Sequence, residues 1–128
     1  MRCLLDTHTL IWWTLDHPSL SARVYAVLKD DSNEVYVSAA SAWEIATKFR
    51  IGKLPEAAIL AADVGAVIKA NGFQCLPVSV RHGQVAGALP GPHKDPFDRM
   101  LIAQVMVDDL IFLSNETIFD NFGVKRLW

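Results

Sequence analysis

The sequence predicts an α/β domain in which a mostly parallel sheet is covered on both faces by helices. Three observations carry that prediction. Short apolar runs of strand length recur along the chain, at Cys3-Leu4-Leu5, Val35-Tyr36-Val37 and Leu110 to Leu113. Longer helical patterns alternate with them, the arrangement that builds parallel sheets buried on both sides. At 128 residues with 52% apolar content, the chain has the size of a single domain over 1–128 and can fill a core without disulfides.

Arg2 to Leu5 reads as a buried strand ending at Asp6, and Thr7 to Leu15 as a helix. His17-Pro18-Ser19 breaks the chain, and Ser19 or Ser21 suits the N-cap of a helix running through Lys29. Val35 to Val37 is a β-branched and aromatic strand, followed by a helix over Ser38 to Arg50 that Gly52 closes. Pro55 to Ala70 reads as one helix. Phe73 to Val78 is a strand whose Pro77 places it at a sheet edge or a strand end. Ser79 to Ala88 is a short helix, and the proline-glycine segment from Leu89 to Lys94 is irregular. Pro96 to Val107 is a strong helix, Leu110 to Leu113 a strand, Asn115 to Asn121 a helical turn, and Val124 to Leu127 a last strand.

Five acids stand out against this frame: Asp6, Glu44, Asp95, Asp98 and Glu116. Each is expected where a strand gives way to a helix or in the first turns of that helix. The carboxyl ends of parallel strands share one edge, so these acids should gather there and repel one another unless a cation lies among them. Hard oxygen ligands of this kind suit Mg²⁺ or Mn²⁺. A capping account also exists. Asp95, Pro96 and Asp98 suit the N-cap, N1 and N3 positions of a helix, and Asp6 and Glu116 suit helix starts. Glu44 is harder to explain in that way. With Ser38 as N-cap it falls in the second turn among Ala42, Trp43, Ile45 and Ala46, where a carboxylate needs a partner.

Other chemistries find little support. The net charge is -2, so nucleic-acid binding would need a local patch or a metal. Cys3 and Cys75 lack zinc-ligand spacing and read as buried, reduced thiols, which suits the cytoplasm. No signal peptide or transmembrane segment is expected. His8 lies close enough to Asp6 to touch a substrate, His93 precedes Asp95, and His17 and His82 read as surface or helix-end residues. No serine or cysteine sits in a nucleophile motif, and no glycine-rich dinucleotide loop follows the first strand. Trp12, Trp13, Trp43 and Trp128 read as core or interface aromatics; Trp12 and Trp13 point about 100° apart on a helix, so one of them is a candidate to face a partner.

The chain resembles the PIN-domain ribonucleases, and within them the VapC toxins of bacterial toxin–antitoxin systems. The resemblance rests on Leu4-Leu5-Asp6-Thr7-His8, on Val37 to Ile45 with its Ser41-Ala42-Trp43-Glu44 core, and on Gly52-Lys53-Leu54. It rests further on His93-Lys94-Asp95-Pro96-Phe97-Asp98-Arg99 through Gln104, and on the ending Phe122 to Trp128. It implies a three-layer α/β/α sandwich, and it implies that Asp6, Glu44 and Asp98 are metal-site residues with Asp95 beside them. Ser114-Asn115-Glu116 stands where the family often has a threonine followed by an aspartate two residues later, so Glu116 would meet the metal directly or through water. The implied activity is a Mg²⁺- or Mn²⁺-dependent endoribonuclease that cleaves a phosphodiester with metal-activated water, leaving 5′-phosphate and 3′-hydroxyl ends. The implied partners are RNA, a cognate antitoxin and a second copy of the chain, with no membrane. Lys48, Arg50, Lys53, Lys94 and Arg99 are candidates for phosphate contacts. Two rivals remain at this stage: a non-catalytic module of the same fold that binds RNA or protein, and a phosphatase using Asp6 as nucleophile. The phosphatase wants an acid at position 8, which is His8.

Overall fold

Side-chain alternation along β1 (Arg2–Leu5) sets the architecture of the computed structural model, which describes residues 1–128. Cys3 and Leu5 face one apolar cluster, while Leu4 faces another. A strand buried on both faces needs layers on both sides. Strands β2 (Glu34–Ser38), β3 (Gln74–Leu76), β4 (Ile111–Leu113) and β5 (Arg126–Leu127) complete a sheet of order β3-β2-β1-β4-β5. Every pairing is parallel, with Leu4 opposite Tyr36 on one side and Phe112 on the other.

The order reverses between β1 and β4, which makes their carboxyl ends the expected crevice. Helix α1 (Thr7–Thr14) starts there on its cap Asp6. Helix α2 (Ala22–Lys29) starts on Ser21, whose Oγ accepts the Val24 N–H at 3.1 Å. Helix α3 (Ala39–Arg50) is capped by Ser38, as expected, and the chain turns away at Gly52 with φ +78. Ser41 is thereby free to accept the Thr7 hydroxyl at 3.0 Å, tying the starts of α1 and α3 together.

The continuous helix expected over Pro55 to Ala70 is instead a 3-10 turn (Pro55–Ala57), α4 (Ala58–Ala62) and α5 (Val64–Ala70). Asp63 causes the break. Its carboxylate accepts the Ala66 N–H at 2.9 Å and so starts a new helix instead of continuing the old one. Strand β3 is shorter than expected and lies at the edge, as Pro77 requires. Cys75 on this edge strand is exposed, contrary to the buried thiol expected, whereas Cys3 is buried at the sheet centre.

Helix α6 (Val80–Ala88) opens with a reciprocal cap: Ser79 Oγ accepts the His82 N–H, and His82 Nδ1 accepts the Ser79 N–H. His82 is thus a helix-end residue, one of the two places expected for it, but a buried one, and its Nε2 meets Asp108 Oδ2 at 2.9 Å. Helix α7 (Pro96–Asp108) follows the irregular 89–94 loop and ends at Asp109, which takes a left-handed conformation. A 3-10 turn (Thr117–Phe122) precedes β5. No helix is long and apolar enough to cross a membrane.

Candidate metal and active site

Asp6 caps α1 at the end of β1, with Oδ1 accepting the Thr7 N–H and Oδ2 accepting the Ser114 hydroxyl, both at 2.8 Å. Ser114 reaches it because β4 runs beside β1 in register, Leu113 opposite Leu5. Both residues are buried. Burial pushes the Asp6 carboxyl up to about 7; the Ser114 bond opposes this, and the charges of Glu116 and Asp98 add to it.

Glu44 lies on the inner face of α3 and is 3% exposed. Its Oε2 accepts Lys48 one turn later. Its Oε1 is buried and meets no donor at all. A charged oxygen left without a partner in such a place is costly, and native folds rarely leave one. Lys48 feels the wider cluster. Burial pulls its ammonium down, but Glu44, Asp95 and Asp98 outweigh burial and hold it above its ordinary value.

Asp95 and Asp98 come from the start of α7, which follows a loop rather than a strand, unlike the junction expected. The helix nonetheless begins at the same edge, because a crossover helix runs antiparallel to the strands it connects. Asp95 Oδ1 accepts the Phe97 and Asp98 N–H groups, at 2.9 and 3.1 Å, so Asp95 is the N-cap. Asp98 does not cap. Its Oδ2 meets His93 Nε2 at 2.9 Å, and burial, with Asp95, Glu116 and Glu44 nearby, raises its carboxyl to about 6 against the His93 bond. Glu116 is half-buried ahead of the last 3-10 turn, and its N–H donates to Ser114 Oγ.

The charges of Asp6, Glu44, Asp95, Asp98 and Glu116 thus act on one another across one end of the sheet. They do not form a preassembled cage: no three acid, histidine or cysteine side chains stand close enough to hold an ion by themselves. Such a donor set suits Mg²⁺ or Mn²⁺ better than zinc, since magnesium keeps several waters and takes one or two carboxylates. A bound cation would relieve both the orphaned Glu44 Oε1 and the raised Asp6 and Asp98 carboxyls.

The basic residues divide. Arg50, Lys53 and Lys94 are exposed. Lys48 is committed to Glu44. The Arg99 guanidinium donates to the carbonyls of Ala86, Gly87, Leu89 and His93, so it anchors a loop. The partner of Asp98, His93, was not legible as a site residue, because the contact depends on how the 89–94 loop folds back. A cavity of about 620 Å³ opens beside His93 and Lys94, and none of the five acids line it. Trp12 and Trp13 are both half-buried; the exposed indole is Trp43, which packs edge-on against Phe97.

Known proteins resemble this chain along its length. A chain of the VapBC2 complex from Rickettsia felis, bound to a DNA fragment from its promoter, superposes with a TM-score of 0.70 over 99% of this chain and 98% of its own, at 14% identity. A chain of FitAcB from Neisseria gonorrhoeae superposes with a TM-score of 0.68 over 100% and 97%, at 20% identity. In sequence, 74 residues are 39% identical to Ribonuclease VapC16 of Mycobacterium tuberculosis. That match takes in 55% of this chain and about half, 51%, of the relative. The PIN domain family model matches residues 3–125, and with the parallel sheet and its acid-lined edge on the same span, the chain belongs to the PIN domain family.

Proposed function

We propose that this chain, acting as one PIN domain over residues 1–128, is a divalent-metal-dependent endoribonuclease and the toxin of a toxin–antitoxin pair. The observation that carries the reading is the buried Glu44 Oε1, a carboxylate oxygen without a donor at the edge where Asp6 and Asp98 also lie. Nothing in the fold satisfies it, and a hard cation would. The resemblance to Ribonuclease VapC16 supports the nuclease activity. The likeness to chains of VapBC2 and FitAcB supports an antitoxin partner.

Asp6 and Asp98 would hold Mg²⁺ or Mn²⁺, with Glu44 reaching it directly or through water and Glu116 beside them. Such an ion supplies a lowered pKa for water and neutralises charge on the phosphate. The protein does the rest. Ser114 and the Thr7 N–H fix the Asp6 carboxylate, and Lys48 fixes one oxygen of Glu44. Asp95 sets the start of α7 and so the place of Asp98. Arg50, Lys53 and Lys94 are exposed cations suited to backbone phosphates, while their small number predicts a modest salt dependence. The working form is proposed to be a cytoplasmic homodimer.

Asp98→Asn tests the reading against a purely structural role for this side chain. Asparagine keeps its shape and an oxygen that can accept from His93, but it is a poor magnesium ligand. Cleavage of single-stranded RNA in Mg²⁺ or Mn²⁺ is expected to collapse, while the metal-free melting temperature holds or rises. Intact cleavage with lost stability would overturn the proposal.

A further inference from the structure

The 89–94 loop does more than connect α6 to α7. Arg99, in the first turn of α7, reaches back to the carbonyls of Ala86, Gly87, Leu89 and His93. Four carbonyls on one planar fork hold the loop's path as a lysine would not, since an ammonium lacks the fixed fork. The anchored loop delivers His93, whose ring packs edge-on against Phe119 and Phe122 at centroid distances of 6.0 and 6.2 Å. The ring so held meets Asp98 Oδ2 through Nε2 at 2.9 Å. The polar contact of the Asp98 carboxylate is through Oδ2, and no hydrogen bond or ion pair engages Oδ1.

We propose that His93 is a positioning residue for the metal: donating from Nε2, it occupies Oδ2 of Asp98 and leaves Oδ1 as the oxygen presented to the cation, with Arg99 holding the loop that carries it. The proposal rests on the metal reading given above. Hydrogen bonds to a ligating carboxylate fix its orientation, and losing such a partner typically costs about 10–100-fold in metal affinity. A solely structural histidine would change the melting temperature and leave metal affinity alone.

Calorimetric titration of the full chain with Mn²⁺ tests it, with the metal-free melting temperature measured alongside. His93→Ala is expected to weaken Mn²⁺ binding about 10–100-fold. His93→Gln, whose amide N–H can reach the position of Nε2, is expected to recover most of that loss. Arg99→Lys is expected to weaken binding in the same direction. His93→Ala binding Mn²⁺ as tightly as the unsubstituted chain would overturn the positioning role while leaving the metal site intact. Should His93→Ala fail to fold, Arg99→Lys is read in its place, and unchanged affinity there overturns the role. Failure of the unsubstituted chain to bind Mn²⁺ overturns the metal reading and this one together.

Discussion

Asp6 and Asp98 each ionise at a higher pH in the folded chain than in the unfolded one, about 7 and about 6 against a free aspartate near ~4. Burial is the main cause in both. A folded state that holds its protons more tightly loses stability as they leave, so these two groups contribute stability that is fully present below the free aspartate value and is lost as pH rises through about 6 and about 7. Its melting temperature is expected to fall as pH rises from about 4 to about 7 in EDTA. Added Mn²⁺ should restore it at pH 8 and do little at pH 5, because only the ionised carboxylates bind the ion. Differential scanning fluorimetry across that range checks this, and Asp98→Asn should flatten part of the slope. A profile unchanged by Mn²⁺ at pH 8 would count against these residues as ligands. Part of this was legible in the sequence. Glu44 announced itself as an acid in apolar company, and Asp6 as an acid ending an apolar strand. The Asp98–His93 pair and the commitment of Arg99 to carbonyls were not legible, since both depend on the path of an irregular loop.

Capping decides how the elements present those side chains. Asp95 collects two backbone N–H groups on one oxygen, so its measurable role belongs to α7. Asp95→Ala should cost about 1 kcal/mol of stability. Asp95→Asn should keep nearly all of it, and chemical denaturation of the two variants distinguishes the outcomes. The same logic explains where sequence reading succeeded and failed. Ser38, Ser21, Ser79 and Asp95 follow the rule that a short polar side chain starts a helix. Asp63 obeys that rule too, but inside a stretch whose apolar pattern runs on from Pro55 to Ala70. Local capping won over periodicity there, and one expected helix became two. Cys75 shows the complementary failure: its apolar neighbours suggested burial, while its place on the edge strand exposes it.

At the scale of the molecule, strand order does the gathering. Because β1 and β4 are neighbours although more than 100 residues separate them, Asp6 and Ser114 share a hydrogen bond. The sheet that brings them together is held by cores on both faces, with Phe112 fully buried in one of them. Phe112→Ala should destabilise the fold by about 3–5 kcal/mol, measured by urea denaturation, and lower metal affinity only through the loss of folded protein. The alternation of strands and helices made this parallel sheet legible in the sequence. It could not say how close the acids approach, which depends on the helix starts and the 89–94 loop. Acids from distant segments are proposed to share one hard ion at the end of β1 and β4. An anomalous-scattering map from crystals grown with Mn²⁺ tests it most directly. A peak is expected within ligating distance of the Asp6 and Asp98 carboxylates, with Glu44 bound to it directly or through water; a well-occupied peak elsewhere, or none beside these residues, would rule out the shared site.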